Sequence, residues 1–312
     1  MAYKLVVIIS FLSLGFAYNA RYGSELYQDG KNAKSAALGG LSVSYAGGSN
    51  PVLMKNRNTP SIHFSHKNKF GGMARVTILS YLHPREKYPL YFGLISRSVD
   101  NIDETRYAWI DINGNSIPES GEIDYFSIPD FVQQEIGVQI STIRYWGPYT
   151  LGVNFKPSFT SLLEYKSYGI STDLAVLVQP FDKLDVTLRL EDILGLRYWD
   201  TGNTETIPPL FMGGIYYRFS KLAIGVETGS RIESHNFLNY HMGIEYEGQD
   251  QLFFRVGTSH LNQFTAGIGI QFKHVEFSYA YLYPEKAFEA SHIMSAGINL
   301  DEIHRIKGKI TP

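Results

Sequence analysis

Downstream of Ser61 one pattern repeats, in which apolar and polar residues alternate over segments of strand length. About fourteen such segments follow one another, each close to the length with which a tilted strand crosses a bilayer. A soluble sheet alternates too, but its apolar face turns onto a core, and an export signal at the start of this chain favours the membrane alternative. The pattern predicts an all-β fold, a transmembrane antiparallel β-barrel of about 14 strands.

The predicted strands alternate between mostly short connections at one end of the barrel and mostly long connections at the other, as in bacterial outer-membrane barrels, and only the first two hairpins depart from this rule. The strands are Ser61–Lys67, Gly72–Leu82, Leu90–Ser98, Gln133–Tyr145, Tyr149–Ser158, Tyr168–Gln179, Leu184–Ile193, Pro208–Phe219, Lys221–Gly229, Phe237–Tyr246, Gln251–Thr258, Phe264–Lys273, His274–Tyr283 and Ser291–Leu300. The long connections are Val99–Val132, Thr160–Ser167, Leu194–Pro209, Ser230–Asn236 and Pro284–Ala290.

In the strands with the clearest alternation, charged residues fall on only one face, as at Asp185 and Arg189, which alternate with the apolar Val186 and Leu188. A charge directed into lipid at mid-depth costs about 2–4 kcal/mol, whereas a charge in a wet lumen costs little. The charged face must therefore be the inner one. Glycines on that face, which include Gly225, Gly267 and Gly269, leave space for another part of the chain inside the barrel.

Both ends of the chain differ from the strand region. Residues 1–17 combine Lys4 with an apolar run from Leu5 to Phe16, which predicts a cleaved signal peptide, because the run is shorter than the roughly 20 residues of a membrane-spanning anchor helix. Residues 18–60 do not alternate, and a small apolar patch from Ala36 to Gly40 favours an N-terminal hatch or plug in the lumen. The barrel is predicted to span residues 61–300, and residues 301–312 form a polar tail.

Composition narrows the function classes. A mean hydropathy of -0.13, with no later apolar stretch of helical length, excludes a helical membrane protein. The net charge of -2 offers no basic field for nucleic acid, and the absence of cysteine excludes thiol chemistry. The chain contains 22 tyrosines and 3 tryptophans. Tyrosine, a ring with a polar hydroxyl, suits strand ends at the level of lipid headgroups. The expected location is the bacterial outer membrane, with lipid as a partner.

The longest predicted outer connection contains one candidate metal site. Oxygen ligands occur at the spacing with which an EF-hand loop wraps Ca²⁺, and the candidate ligands are Asp111, Asn113, Asn115, the backbone carbonyl of Ile117, Glu119 and Glu122. The alternative is a polar loop rich in turn-forming residues. Calcium is the one candidate cofactor, and the hypothesis is that bound Ca²⁺ orders this loop to present a protein-binding surface.

Other polar groups do not predict catalysis. His63 and His66 lie three positions apart on a strand, which places them on opposite faces. A hydrolase would need Ser or His beside an oriented partner, and the adjacent pairs Ser259–His260 and Ser291–His292 point apart in a strand. The chain is therefore predicted not to be an enzyme.

Several stretches carry a family resemblance. Residues Lys34 to Gly40 followed by Val43, Asn50 and Asn56 resemble the hatch of the FadL superfamily of outer-membrane barrels, specifically its PorV/PorQ branch. The run from Glu191 to Gly202 resembles the mid-barrel segment of that branch, and Phe277 to Ala280 its closing hairpin. The resemblance implies a fourteen-stranded barrel with a plug, in a superfamily known for uptake of long-chain fatty acids.

The PorV/PorQ branch implies a different role, because its members serve type IX secretion as cargo shuttles or as parts of the surface attachment complex. The partners would then be secretion-system proteins or secreted cargo. The alternative is a FadL-like passive channel for hydrophobic small molecules, which would need an apolar lumen pocket beside the hatch. Because the inner faces consist mainly of Gly, Ser, Thr and charged residues, the sequence favours the protein-export role over the channel.

Overall fold

The computed structural model describes residues 25–44, 50–119, 121–124, 126, 128–231, 238–260, 263–283 and 289–300. Its sixteen strands are β1 (Ser61–Lys69), β2 (Ala74–His83), β3 (Leu90–Asp103), β4 (Asp130–Trp146), β5 (Tyr149–Leu162), β6 (Tyr165–Phe181), β7 (Leu184–Glu191), β8 (Gly195–Trp199), β9 (Thr204–Ile207), β10 (Leu210–Arg218), β11 (Leu222–Arg231), β12 (Leu238–Glu247), β13 (Leu252–Ser259), β14 (Phe264–Phe272), β15 (Val275–Leu282) and β16 (Ser291–Asn299).

Fourteen of these strands form a closed antiparallel barrel, as the sequence predicts. Consecutive strands pair with each other, except that β7 pairs with β10 across the intervening hairpin. Pairing of β1 with β16, from Ser61 opposite Asn299 to Asn68 opposite His292, closes the cylinder. Closure leaves no free strand edge in the wall, which a barrel in hydrocarbon requires because lipid offers no hydrogen bonds.

The predicted faces are confirmed. Along β7, Asp185 and Arg189 are buried inside the barrel, while Leu188 is 50% exposed on the outside. Large apolar side chains such as Phe211, Ile268 and Phe277 are similarly exposed around the exterior. Such a continuous apolar exterior is unfavourable in water and matches the lipid-facing band of a membrane barrel.

Two parts of the wall differ from the prediction. The predicted long connection Thr160–Ser167 is wrong, because β5 and β6 continue past it and meet at a two-residue turn, Leu163–Glu164. The predicted connection Leu194–Pro209 contains the hairpin β8–β9, in which β8 pairs with the outer part of β6. Both features extend the sheet beyond the barrel at the end where the long connections lie, which is called the outer end below.

The N-terminal part of the described chain lies inside the barrel. This inner segment (residues 25–44 and 50–60) contains two short helices, α1 (Glu25–Asp29) and α2 (Ala33–Ala37), and 3₁₀ turns at Ser42–Ser44 and Pro51–Asn56. Asn32 caps α2 by accepting a hydrogen bond from the Ser35 N–H. No helix in the described residues is long and apolar enough to span a membrane. The predicted signal peptide (1–17) and polar tail (301–312) fall outside the described residues.

Candidate functional site: the filled lumen

Inner-face glycines provide the surface against which the inner segment packs. A Cβ added at Gly257 would lie 2.2 Å from the Gly39 nitrogen, and one at Gly267 would lie 2.5 Å from the Ala37 Cβ. The same close approach occurs at Gly225, where an added Cβ would lie 2.6 Å from the Leu41 Cδ1. Because only a hydrogen fits at these positions, the wall and the inner segment have complementary shapes.

Polar bonds also join the inner segment to the wall. Glu227 on β11 accepts hydrogen bonds from the Ser42 N–H (2.8 Å) and the Ser42 hydroxyl (2.5 Å). Thr265 on β14 accepts from the Gly39 N–H (3.0 Å) and donates to the Ala37 carbonyl (2.9 Å). These bonds satisfy backbone groups of residues 37–42 that would otherwise be buried without partners.

Asp29, at the end of α1, is the most highly connected charge of the inner segment. Its carboxylate lies 2.8 Å from the Lys69 Nζ, 3.2 Å from the Lys67 Nζ and 3.6 Å from the Arg97 Nε. Burial alone would raise the pKa of Asp29, but the three neighbouring cations outweigh it and hold the pKa well below its usual range. Asp29 is therefore ionised at neutral pH and attaches the inner segment to β1 and β3.

Further buried ion pairs join strands of the lumen wall to one another. Lys156 on β5 lies 2.7 Å from Asp173 and 2.9 Å from Asp192. Arg189 pairs with both Glu191 and Glu227, so one arginine links β7 to β11. Since an unpaired charge buried in this lumen would be costly, each pair fixes the position of its strands.

An apolar patch interrupts this polar lining on β2 and β3. Val76, Ile78 and Ile95 point into the lumen and pack against Leu26 and Tyr27 of α1. This patch is an exception to the mainly polar inner faces that the sequence predicts. The cause is that both faces of β2 are apolar, because the outward Leu79 and Tyr81 are also large and exposed.

The wall is interrupted next to this patch. The β4–β5 ladder runs from Trp146 and Tyr149 up to the pair Ile140–Phe155, skips two positions, and resumes at Gly137–Ser158. The skipped stretch contains Pro157, which has no N–H to donate to a ladder.

The hydroxyl of Tyr27 covers this interruption from inside. It lies 2.5 Å from the Pro157 carbonyl oxygen and 3.1 Å from that of Val138. Gly137 provides the space for this ring, since a Cβ there would lie 2.7 Å from the Tyr27 hydroxyl. An inner-segment side chain thus takes the place of a strand-to-strand contact in the middle of the wall.

Two cavities flank the inner segment. The cavity towards the outer end has a volume of about 370 Å³, and its lining combines the apolar Leu210, Met212 and Leu282 with Arg231 and Lys31. A smaller cavity of about 50 Å³ lies towards the other end, and its lining includes Ile78 and Tyr91. Lys31 borders both cavities, so the inner segment is the partition between them.

The long outer loop (residues 104–129) has its own internal order. Its two arms pair at Trp109 and Ile123, and Arg106 holds the loop to the β5–β6 turn through two hydrogen bonds to Glu164, of 2.7 and 3.1 Å. The same arginine also bonds Glu104 at 2.8 Å. These contacts hold the pKa of Glu164 at about 2, well below its usual range, chiefly through the hydrogen bonds from Arg106.

The candidate metal ligands all lie in this loop, where their oxygens bond mainly to backbone N–H groups. Glu122 accepts from the Trp109 Nε1 (3.2 Å), the Ile112 N–H (3.1 Å) and the Asn113 N–H (3.3 Å). Asp111 accepts from three consecutive N–H groups, those of residues 114–116. Glu119 accepts from the Asn115 side chain at 3.0 Å. No group of three or more His, Cys, Asp or Glu side chains suited to a metal ion occurs in the described residues.

No family model matches the chain, and no curated protein matches it. Solved structures do match. A deltaS2S3 mutant of the monoaromatic hydrocarbon channel TodX aligns with a TM-score of 0.60 at 13% identity, over 86% of this chain and 99% of that one. The Pseudomonas putida toluene transporter TodX aligns with a TM-score of 0.57 at 13% identity, over 86% of this chain and 96% of that one. The monoaromatic hydrocarbon channel CymD aligns with a TM-score of 0.57 at 13% identity, over 91% of this chain and 99% of that one.

At this low identity the similarity shows the fold alone. It agrees with the fourteen-stranded barrel that the FadL resemblance implies. The comparisons give no support to the PorV/PorQ branch or to type IX secretion, so those assignments stay predictions from the sequence.

Proposed function

We propose that the protein is a passive outer-membrane channel for small apolar molecules. The observation that carries this proposal is the interruption in the β4–β5 wall, which lies beside a buried apolar patch and is covered by Tyr27. The fold, shared with TodX and CymD, which are described as hydrocarbon channels, supports the same function. This reverses the preference that the sequence suggested between export and uptake.

The interruption offers a route from the lumen into the bilayer. It extends over three residue steps, or about 10 Å along the strands. A hydrocarbon gains free energy by leaving water for lipid, so it needs only an opening and no energy source. Movement of α1 away from the wall would withdraw the Tyr27 hydroxyl from the Pro157 carbonyl and uncover that opening.

The polar remainder of the lumen suits this role. Ion pairs elsewhere in the wall, such as Arg189 with Glu227 between β7 and β11, would be costly to break, which favours opening beside Tyr27. The outer cavity offers Leu210, Met212 and Leu282 as an apolar surface on which a molecule can bind before it reaches the inner segment.

Calcium at Asp111, Asn113, Asn115, Ile117, Glu119 and Glu122 remains a proposal alongside this function. Its ligands are held within one ordered loop, and several of their oxygens already accept backbone hydrogen bonds. Binding of Ca²⁺ would have to use the remaining lone pairs of those oxygens.

The test is mass spectrometry of both small molecules and proteins that copurify with the full chain from detergent-solubilised membranes. Retained apolar molecules, or exchange of added toluene into the purified barrel, would support the channel. Stoichiometric secretion proteins with an empty lumen would instead select the export role that the PorV/PorQ resemblance implies.

A further inference from the structure

The outer loop (residues 104–129) exposes several large apolar side chains at the outer end of the barrel. Tyr107 is 81% exposed, Ile112 is 73% exposed and Phe126 is fully exposed. Ile110 and Ile117 are also exposed. The lipid-facing strands explain exposed apolar residues elsewhere on the barrel, but this loop lies beyond β3 and β4, past the strand ends.

The loop is held in one shape by its own contacts. The pairing of Trp109 with Ile123 joins its arms, Glu122 accepts three hydrogen bonds across its head, and Arg106 anchors it to the β5–β6 turn. An ordered surface loses little conformational entropy on binding, whereas a disordered loop with the same residues would lose much more. The exposed side chains are therefore already presented in position.

The charge of the loop indicates the kind of partner. Residues 104–129 contain five acidic side chains and a single basic one, Arg106, whose guanidinium is already bonded to Glu104 and Glu164. The loop therefore carries a net negative charge, and exposed carboxylates such as that of Glu119 lie among its apolar side chains. This arrangement would repel an anionic lipid headgroup and attract a cationic surface.

We propose that the outer loop is a docking surface for a protein partner that presents basic residues around an apolar contact. Apolar burial supplies the affinity, and the carboxylates select a cationic partner and speed its association. The surface is separate from the lumen, so the proposal does not depend on the channel function.

The test uses the full chain in phosphatidylcholine nanodiscs and two synthetic amphipathic peptides of equal apolar content, one rich in Lys and Leu and the other in Glu and Leu. Binding is measured by biolayer interferometry against empty nanodiscs. The matched variants are the double substitution Ile112→Ser with Ile117→Ser, and the control Leu194→Ser, a 54% exposed apolar residue of another outer connection.

The Lys–Leu peptide is expected to bind the parent and the Leu194→Ser control about tenfold more tightly than the double variant, and to lose affinity as salt rises. The Glu–Leu peptide is expected not to bind. Equal binding of the two peptides, or equal binding to parent and double variant when both show the same amide-exchange pattern in the barrel, would overturn the proposal. Loop-dependent binding of anionic phospholipid vesicles would overturn it too, because the partner would then be a lipid surface.

Discussion

Gly257→Ala is predicted to loosen the inner segment without altering the lipid-facing surface. The new Cβ would lie 2.2 Å from the Gly39 nitrogen and 2.3 Å from the Leu38 carbonyl carbon. Both are backbone atoms, so the contact cannot be relieved by a side-chain rotation. Overpacking of this kind costs about 1–3 kcal/mol, which increases the detached population of residues 33–41 by roughly 5- to 150-fold.

The assay is hydrogen exchange with mass spectrometry on the full chain in detergent. A five-residue helix such as α2 does not persist alone, so the amides of residues 33–41 should exchange faster by the same factor when they detach. Gly225→Ala should have a smaller effect, since the atoms that it meets belong to the side chains of Leu41 and Tyr216.

The control is Gly213→Ala on the outward face of β10. The new Cβ would lie 3.4 Å from its nearest neighbour, the Leu188 Cδ2, which is an ordinary contact distance. Gly213→Ala should leave exchange in residues 33–41 unchanged. Unchanged exchange in Gly257→Ala as well would refute the close packing of the inner segment on the glycines of the wall.

Three further changes probe the wall and the outer loop. Tyr27→Phe leaves the Pro157 and Val138 carbonyls without their donor, at a cost of about 1–3 kcal/mol, so exchange across residues 136–140 should rise while Tyr149→Phe leaves it unchanged. The hydrogen bond from Trp109 is the main cause that lowers the pKa of Glu122 below the 4.5 of an ordinary glutamate. The ionised Glu122 carboxylate therefore orders the loop fully above pH 4.5, and this order is lost as the pH falls further and the carboxylate is protonated. Trp109 fluorescence, in a chain with Trp146→Phe and Trp199→Phe, should therefore change with a midpoint below 4.5, and a midpoint at or above it would contradict the assignment. Added Ca²⁺ should protect the chain from proteolysis near Asn115, and equal cleavage with and without Ca²⁺ would remove the proposed metal site.

The barrel could be predicted from the sequence because its two sides face such different surroundings. A residue such as Asp185 is excluded from lipid and Leu188 from a wet lumen, so alternation along β7 assigns both faces unambiguously. Inner glycines such as Gly267 indicated that a further part of the chain fills the lumen, but not which residues would meet them. Those contacts join positions more than 200 residues apart, for which alternation carries no information.

Two features of the lumen wall could not be predicted from alternation, namely the apolar patch on β2 and the interruption of the β4–β5 ladder. β2 has two apolar faces, so alternation did not reveal its lumen patch at Val76 and Ile78. Pro157 within a strand was a local indication of a weakened ladder. Its importance depends on Tyr27, 130 positions earlier in the chain, and only the folded structure shows that contact.

Uptake by intact cells tests the proposed channel most directly. Cells of a Gram-negative host that produce the full chain would be given radiolabelled toluene, with radiolabelled glucose as a polar control. Faster initial uptake of toluene than in cells without the protein, with no change in glucose and a further increase in Tyr27→Phe, is the result expected of a channel whose wall opens beside Pro157. Toluene uptake identical with and without the protein, at equal levels of folded barrel in the outer membrane, would contradict the proposed function.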